Sequence, residues 1–234
     1  MFGLHAVRAA LENPERKKYR LALTLNAAQQ LEEAIAVSGI SPEISDARKF
    51  AAPIDKNSVH QGAALETEAL DWGDPASVCP AEDGAVTLFL DRVTDPHNVG
   101  AILRTAEVFG AKAVIAPARH SAPETGALAK SASGALERQP YLRVRNLSKA
   151  MIELQESGYV MLGLAGEAPL NLRQALETAK GSPIGIVLGA EGPGLREKTR
   201  ETCDALAAIP SATSFASLNV SNAAAVALYA ARSS

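Results

Sequence analysis

From residue 85 onward the chain alternates short apolar runs with helix-patterned segments, and this beat limits the possible folds more than any other feature. The apolar runs fall at 86–90, 113–116, 141–144, 159–164, 184–188 and 205–209. Helical patterns occupy 99–109, 124–133, 147–157, 170–179 and 195–201, and an alanine-rich one closes the chain at 222–232. Strands that alternate with helices in this way predict an α/β fold, a parallel sheet covered on both faces. Ligands of such sheets bind beyond the carboxyl ends of the strands. The loops to inspect are therefore 91–98, 165–169, 189–194 and 210–222.

A smaller unit precedes this region. Residues 1–72 carry a helical pattern at 3–11, a strand at 20–25, a helix at 27–37 closed by Gly39, a turn-rich passage at 50–57, and His60-Gln61-Gly62 leading into a strand at 63–66. That alternation predicts a compact α/β module. Residues 73–84, rich in proline and without periodicity, read as a linker, leaving 85–234 as the main unit. A chain of 234 residues has room for both.

Several classes are disfavoured. No uncharged apolar run approaches the roughly 18 residues of a membrane span. The amino-terminal segment has no apolar core of signal-peptide length. Cys79 and Cys203 are isolated, with no partner at metal-ligand spacing, and read as reduced thiols of a cytoplasmic protein without a metal site. A net charge of −3 argues against binding nucleic acid by bulk attraction. Local basic clusters remain, one at Arg16, Lys17, Lys18 and Arg20, the other at Arg138, Arg143, Arg145 and Lys149. Each reads as a solvated face or as a phosphate contact.

The loops hold the unusual residues. The stretch 211–222 contains no charge, yet it offers Ser217, Asn219, Ser221 and Asn222 around Phe215 and Leu218. Short hydroxyls and amides between a strand and a helix suit either a lining for a neutral or zwitterionic ligand or a plain helix cap. In 91–104, Asn98 stands near a helix start, where an N-cap role is expected. Arg104 lies among apolar neighbours and must snorkel or meet an anion, structurally Glu107 or another carboxylate. His97 is a base by type or a turn residue after Pro96. In 189–194 the glycines allow close backbone approach to a ligand, and Glu191 can orient a partner or face water. The pattern is neither GxGxxG nor a phosphate loop, which counts against a nucleotide-dependent oxidoreductase.

Together, Asp95-Pro-His-Asn98 with Arg104, Gly189-Ala-Glu-Gly-Pro-Gly-Leu195, and Ile209-Pro210 with Ser217-Leu-Asn-Val-Ser221 resemble, in order and spacing, the three motifs of SpoU/TrmH-type RNA ribose methyltransferases. Gly3-Leu-His-Ala-Val7 and His60-Gln61-Gly62 resemble the family's L30e-like substrate-binding domain. The family departs from this sequence at Asn222 and the alanines after it. The resemblance implies S-adenosylmethionine as cofactor, lodged in a C-terminal trefoil knot. It implies cofactor contacts at Gly189, Ile209 and Leu218, with Ala165 and Gly192 nearby, and catalytic roles for Asn98, Arg104, Glu191, Ser217 and Asn219. It further implies a homodimer, no metal, and as substrate a guanosine ribose of 23S ribosomal RNA. A transfer-RNA methyltransferase and a non-catalytic RNA-binding assembly factor are the alternatives. Under this resemblance both basic clusters are expected to contact phosphates.

Overall fold

The computed structural model describes residues 1–50, 52, 54, 58–212 and 218–233, with Lys49 as backbone only. The front segment folds as helix α1 (Leu4–Glu12), strand β1 (Lys18–Thr24), helices α2 (Leu25–Gln30) and α3 (Glu32–Ser38), and strands β2 (Pro42–Ser45) and β3 (Ala63–Thr67). Its three-stranded sheet has the order β2-β1-β3, with β2 parallel and β3 antiparallel to β1. Val7, Leu11, Leu21, Leu23, Leu31 and Leu65 form its own apolar cluster. The helix expected over 27–37 is broken at Leu31, whose φ of −107° leaves the helical region between α2 and α3. Strand β2 was not foreseen, because its sequence Pro-Glu-Ile-Ser carries no apolar run.

The main unit holds α4 (Pro75–Val78), β4 (Val86–Asp91), α5 (Pro96–Val108), β5 (Val114–Pro117), α6 (Gly126–Ala132), β6 (Tyr141–Val144), α7 (Leu147–Glu156), β7 (Val160–Leu164), β8 (Leu170–Asn171), α8 (Leu172–Thr178), β9 (Ile184–Gly189), α9 (Glu197–Thr202), β10 (Ala205–Ala208) and α10 (Val220–Arg232). Its seven-stranded sheet runs β6-β5-β4-β9-β7-β10-β8, and every neighbouring pair is parallel. The six expected strands are all present, each within about a residue of its expected bounds. Strand β8 escapes notice because it is two residues long.

Side-chain alternation along β4 explains the two cores. Val86, Leu88 and Leu90 join one cluster with residues of α5, α6, α8 and α10, while Phe89 points into the other with residues of α7. Gly100 of α5 allows the closest helix contact: a Cβ there would lie 2.4 Å from Ser131 Cβ and 2.8 Å from the Leu128 carbonyl oxygen. The 73–84 stretch is more than a tether, since α4 and the buried Cys79 pack into the second core.

The front segment is pinned to the main unit. Ala6 of α1 belongs to the main core. Arg16, 3% exposed, donates from Nε and Nη2 to the two carboxylate oxygens of Glu137 at 2.9 and 2.7 Å, and Asn13 Nδ2 donates to Glu137 Oε2 at 3.0 Å. This corrects the expectation for Arg16: it is buried in an ion pair across the two units and does not face phosphates.

Candidate active site

The strand order reverses between β4 and β9, and the crevice of such a sheet opens at that point on its carboxyl edge. Three loops meet there. The first leads from β4 into α5. Asp95, not Asn98, caps α5, with its Oδ1 accepting from the His97 backbone N–H at 3.0 Å. The N-cap expected at Asn98 is therefore corrected. Asn98 sits inside the first turn of α5 and its amide is free for other partners.

Those partners come from the other two loops. Asn98 Nδ2 donates to Glu191 Oε1 at 3.2 Å. Asn219 Nδ2 donates to Asn98 Oδ1 at 2.9 Å and to Glu191 Oε1 at 2.5 Å. The Val220 backbone N–H adds a longer bond of 3.4 Å to the same Glu191 oxygen. Glu191 thus lies at the amino end of the thirteen-residue α10, where a negative charge is favoured by the helix dipole. Asn219 is itself the α10 cap, accepting from Ser221 N at 2.9 Å and Ser221 Oγ at 2.6 Å. Glu191 Oε2 accepts no hydrogen bond among the described residues.

The loop carrying Glu191 is a tight closed turn. Ala190 and Gly194 exchange backbone hydrogen bonds of 3.2 and 2.9 Å. Gly189 permits this closure, because a Cβ on it would lie 2.2 Å from the Gly194 carbonyl carbon. Asp91, fully buried at the end of β4 and paired in register with Gly189, anchors the far side. It accepts from the Arg196 backbone N–H at 2.9 Å and from Arg196 Nε at 2.7 Å. Sequence reading missed Asp91 and Arg196. The available signal was an acid ending an otherwise apolar strand, with an arginine two residues after a glycine-rich turn.

The remaining site residues are placed as follows. Gly189 ends β9, Gly192 is exposed in the turn, and Ala165 follows β7, donating its N–H to the Ala207 carbonyl at 3.0 Å. Ile209 follows β10 and packs partly against the main core, and Leu218 is 49% exposed beside Asn219. Ser217 lies outside the described residues. Arg104 does not join the Asn98–Glu191–Asn219 cluster. Six residues past Asn98, it stands about 9 Å further along α5 and roughly 120° around it. It is exposed and has no hydrogen-bond or ion-pair partner among the described residues. The expected pairing with Glu107 does not occur, because Glu107 is taken by Arg138. His97 pairs with Ser131, Nδ1 to Oγ, at 2.9 Å.

The cysteines stand apart from this chemistry. Burial pushes the Cys79 thiol up, and burial together with Asp204 and Asp91 pushes Cys203 up to about 12. Among the described residues no group of three or more His, Cys, Asp or Glu side chains could hold a metal ion, and no helix is long and apolar enough to cross a membrane.

Comparison with known proteins gives the family and the fold. The model of the SpoU rRNA Methylase family matches residues 85–229. The chain belongs to this family. Curated relatives align over nearly the whole chain, front segment included. They include the 23S rRNA (guanosine-2′-O-)-methyltransferase RlmB of Vibrio parahaemolyticus, 39% identical over 98% of this chain and 94% of its own length. The protein of the same name from Ralstonia nicotianae is 40% identical over 98% of this chain and 93% of its own. Among solved structures, the AdoMet-bound rRNA methyltransferase of Sinorhizobium meliloti superposes with a TM-score of 0.81 at 24% identity, covering 100% of this chain and 86% of that one. The SpoU methyltransferase AviRb of Streptomyces viridochromogenes, in complex with AdoMet, gives 0.80 at 23% identity, covering 100% and 88%. The seven-stranded parallel α/β sheet is therefore the SpoU methyltransferase fold, and the three loops lie within the matched family region.

Proposed function

We propose that this chain is a cytoplasmic S-adenosylmethionine-dependent methyltransferase acting on a guanosine ribose 2′-OH of 23S ribosomal RNA. The observation that carries this reading is the convergence of Asn98, Glu191 and Asn219 from three distant loops at the carboxyl edge of the sheet. The family membership and the near full-length RlmB relatives support the substrate class.

The residues present fit the cofactor. Leu218 and Ile209 offer incompletely covered apolar surface, and the cofactor positions Gly189, Gly192 and Ala165 themselves add no charged side chain. When bound, S-adenosylmethionine supplies an electrophilic methyl group. The chain's own task is to hold the ribose oxygen in line and to ease loss of its proton. Glu191, fixed through Oε1, presents Oε2 to a ribose hydroxyl. The amides of Asn98 and Asn219 hold that carboxylate in place, so positioning supplies much of the rate. The Arg104 guanidinium supplies a planar fork of N–H donors. Its role is to grip a phosphate and stabilise the oxygen as charge develops. Ser217 is the remaining proposed catalytic residue of the third motif.

Arg104 stands away from the cluster of its own chain, and this supports a homodimer in which it completes the partner's site. The exposed Val108, Val226 and Tyr229 lie on α5 and α10, which pack on each other with Phe109 and Tyr229 edge to face at 6.4 Å. These helices are the proposed dimer surface. The proposal includes the division into an L30e-like RNA-binding domain at 1–72, a linker at 73–84 and a methyltransferase domain at 85–234 with a C-terminal trefoil knot.

The test is incubation with methyl-labelled S-adenosylmethionine and separated 23S ribosomal and transfer RNA, followed by mapping of the product. Label on a guanosine 2′-oxygen of the 23S RNA is expected. Label confined to transfer RNA would overturn the substrate, and none on either RNA would overturn the activity.

A further inference from the structure

The crevice divides the sheet into unlike halves. Gly189 ends β9, and the loops carrying Ala165 and Ile209 follow β7 and β10. The carboxyl ends of the other half, β4, β5 and β6, carry Arg92, Arg119 and Arg145. All three arginines are exposed, and none has a hydrogen bond or ion pair among the described residues. Other arginines of the chain are engaged: Arg16 by Glu137, Arg20 by Glu43, Arg138 by Glu107, Arg196 by Asp91 and Arg200 by Glu167.

Strand register sets their spacing. Leu88 is level with Val114 and Val114 with Tyr141, so continuing four residues sets Arg92 level with Ala118 and Arg145. Two strand spacings, about 9.6 Å, separate the outer pair, with Arg119 one residue past the level of Ala118 between them. Arg143 braces the middle position by donating from Nη2 to the Ala118 carbonyl, while its own Nε is buried without a partner among the described residues. The Arg92 backbone takes a left-handed φ of 61°, and His120 beside Arg119 takes 60°. Non-glycine residues adopt that region sparingly, and it gathers at functional loops. Nearby carboxylates are engaged elsewhere: Asp95 caps α5, Glu124 faces Arg16 at 3.7 Å and Glu153 faces Lys149 at 3.5 Å. Beyond Arg145 the edge opens into a cavity of about 440 Å3 lined by Pro75, Val144, Asn146, Lys149 and Glu153.

We infer that the carboxyl ends of β4, β5 and β6 form a track for a single RNA strand. Arg92, Arg119 and Arg145 grip successive parts of its phosphate backbone and lead it to the Asn98–Glu191–Asn219 cluster at the β4–β9 boundary. The inference rests on the RNA methyltransferase reading and adds where the strand lies. Charge complementarity selects the occupant, because three unpaired guanidiniums in a row on a chain of net charge −3 suit a polyanion.

The experiment compares wild type with the triple variant Arg92→Ala/Arg119→Ala/Arg145→Ala across a potassium chloride series, using transcribed 23S ribosomal RNA and a polyuridine strand as probes. The expected result is an affinity loss of at least about tenfold for both probes, and a plot of log affinity against log salt shallower by about 2. S-adenosylmethionine affinity should stay at the wild-type value, which also reports that the variant is folded. A control removing the same charge elsewhere on the main unit, Arg173→Ala/Lys180→Ala/Lys198→Ala, should keep the wild-type slope. An unchanged slope in the first variant, or an equal loss in the control, overturns the track. If wild type methylates RNA while the first variant keeps its slope, the track alone falls. If wild type neither binds nor methylates RNA, the methyltransferase reading falls with it.

Discussion

Gly189 is the residue at which the site tolerates least. A β-carbon there would meet main-chain atoms of Gly194 and Leu195 at 2.2 to 2.4 Å, and backbone cannot swing aside as a flexible side chain can. Gly189→Ala should therefore open the Ala190–Gly194 turn and release Glu191 from Asn98 and Asn219. Cofactor affinity measured by calorimetry should fall at least about tenfold while the sheet persists, since single-residue strain of this kind costs on the order of 1–3 kcal/mol. Wild-type affinity in that variant would show that the turn does not shape the cofactor site. Cys203 leads to the opposite expectation, that nothing happens. With its thiol pushed up to about 12 by burial and the neighbouring Asp204 and Asp91, the reactive thiolate is scarce at pH 8. Iodoacetamide should leave Cys203 unmodified in the native protein and label it after unfolding, as peptide mass spectrometry would report. Rapid native labelling would mean that the Cys203 environment is more open than the structure shows.

Elements were legible where one physical term dominated. The strands of the main sheet announce themselves because both of their faces are buried, which demands apolar runs such as 86–90 and 184–188. Strand β2 and the break at Leu31 carry no such demand and stayed hidden. Within the site, Asn98, Glu191 and Asn219 were legible through their motifs, whereas Asp91 and Arg196 belong to none of the three motifs and only the fold brings them together across 105 residues. Arg16 failed for the same reason. In a run of charges it reads as solvated, and only the chain returning at Glu137 buries it. That junction between α1–β1 and the turn after α6 yields an energetic test. Arg16→Met leaves the Glu137 carboxylate buried and unpaired, and should cost about 3–5 kcal/mol in urea unfolding. Adding Glu137→Leu should recover most of the loss, because a buried pair and an apolar replacement are often close in energy. Glu124 in the same junction gives a pH dependence. Burial raises its carboxyl above the ordinary 4.5, against the opposing pull of Arg16. The folded chain therefore holds this proton more tightly than the unfolded chain, and the associated stability is full below 4.5 and lost as pH rises through the folded value. Thermal melts of Glu124→Gln should gain on wild type over that rise, and parallel curves would remove Glu124 from the pH response.

At the scale of the whole molecule the open question is geometric: one chain gathers Asn98, Glu191 and Asn219 but leaves Arg104 about two turns along α5 and on another face. A symmetric dimer resolves this if α5 and α10 meet their copies, because each Arg104 then approaches the cluster of the other protomer, and two-fold symmetry completes both sites at once. The exposed Val108 lies one helical turn past Arg104 on the same face, so the contact that buries it also carries the guanidinium across. Mixing inactive partners tests the arrangement. One protomer carries Arg104→Ala with its own cluster intact; the other carries Asn98→Ala with its arginine intact. Each homodimer should be nearly inactive. In the mixed dimer, the intact cluster of the first protomer faces the intact arginine of the second, and one site of the two is whole. Random reassortment at equal amounts makes about half of the dimers mixed, so methyl transfer should return to roughly a quarter of the wild-type rate. If Arg104 served its own chain, no mixture would contain a whole site, and activity would stay at the level of the two parents. Val108→Asp gives the physical counterpart, since a charge placed in the proposed contact should shift the protein to monomer in light scattering and abolish complementation together with activity.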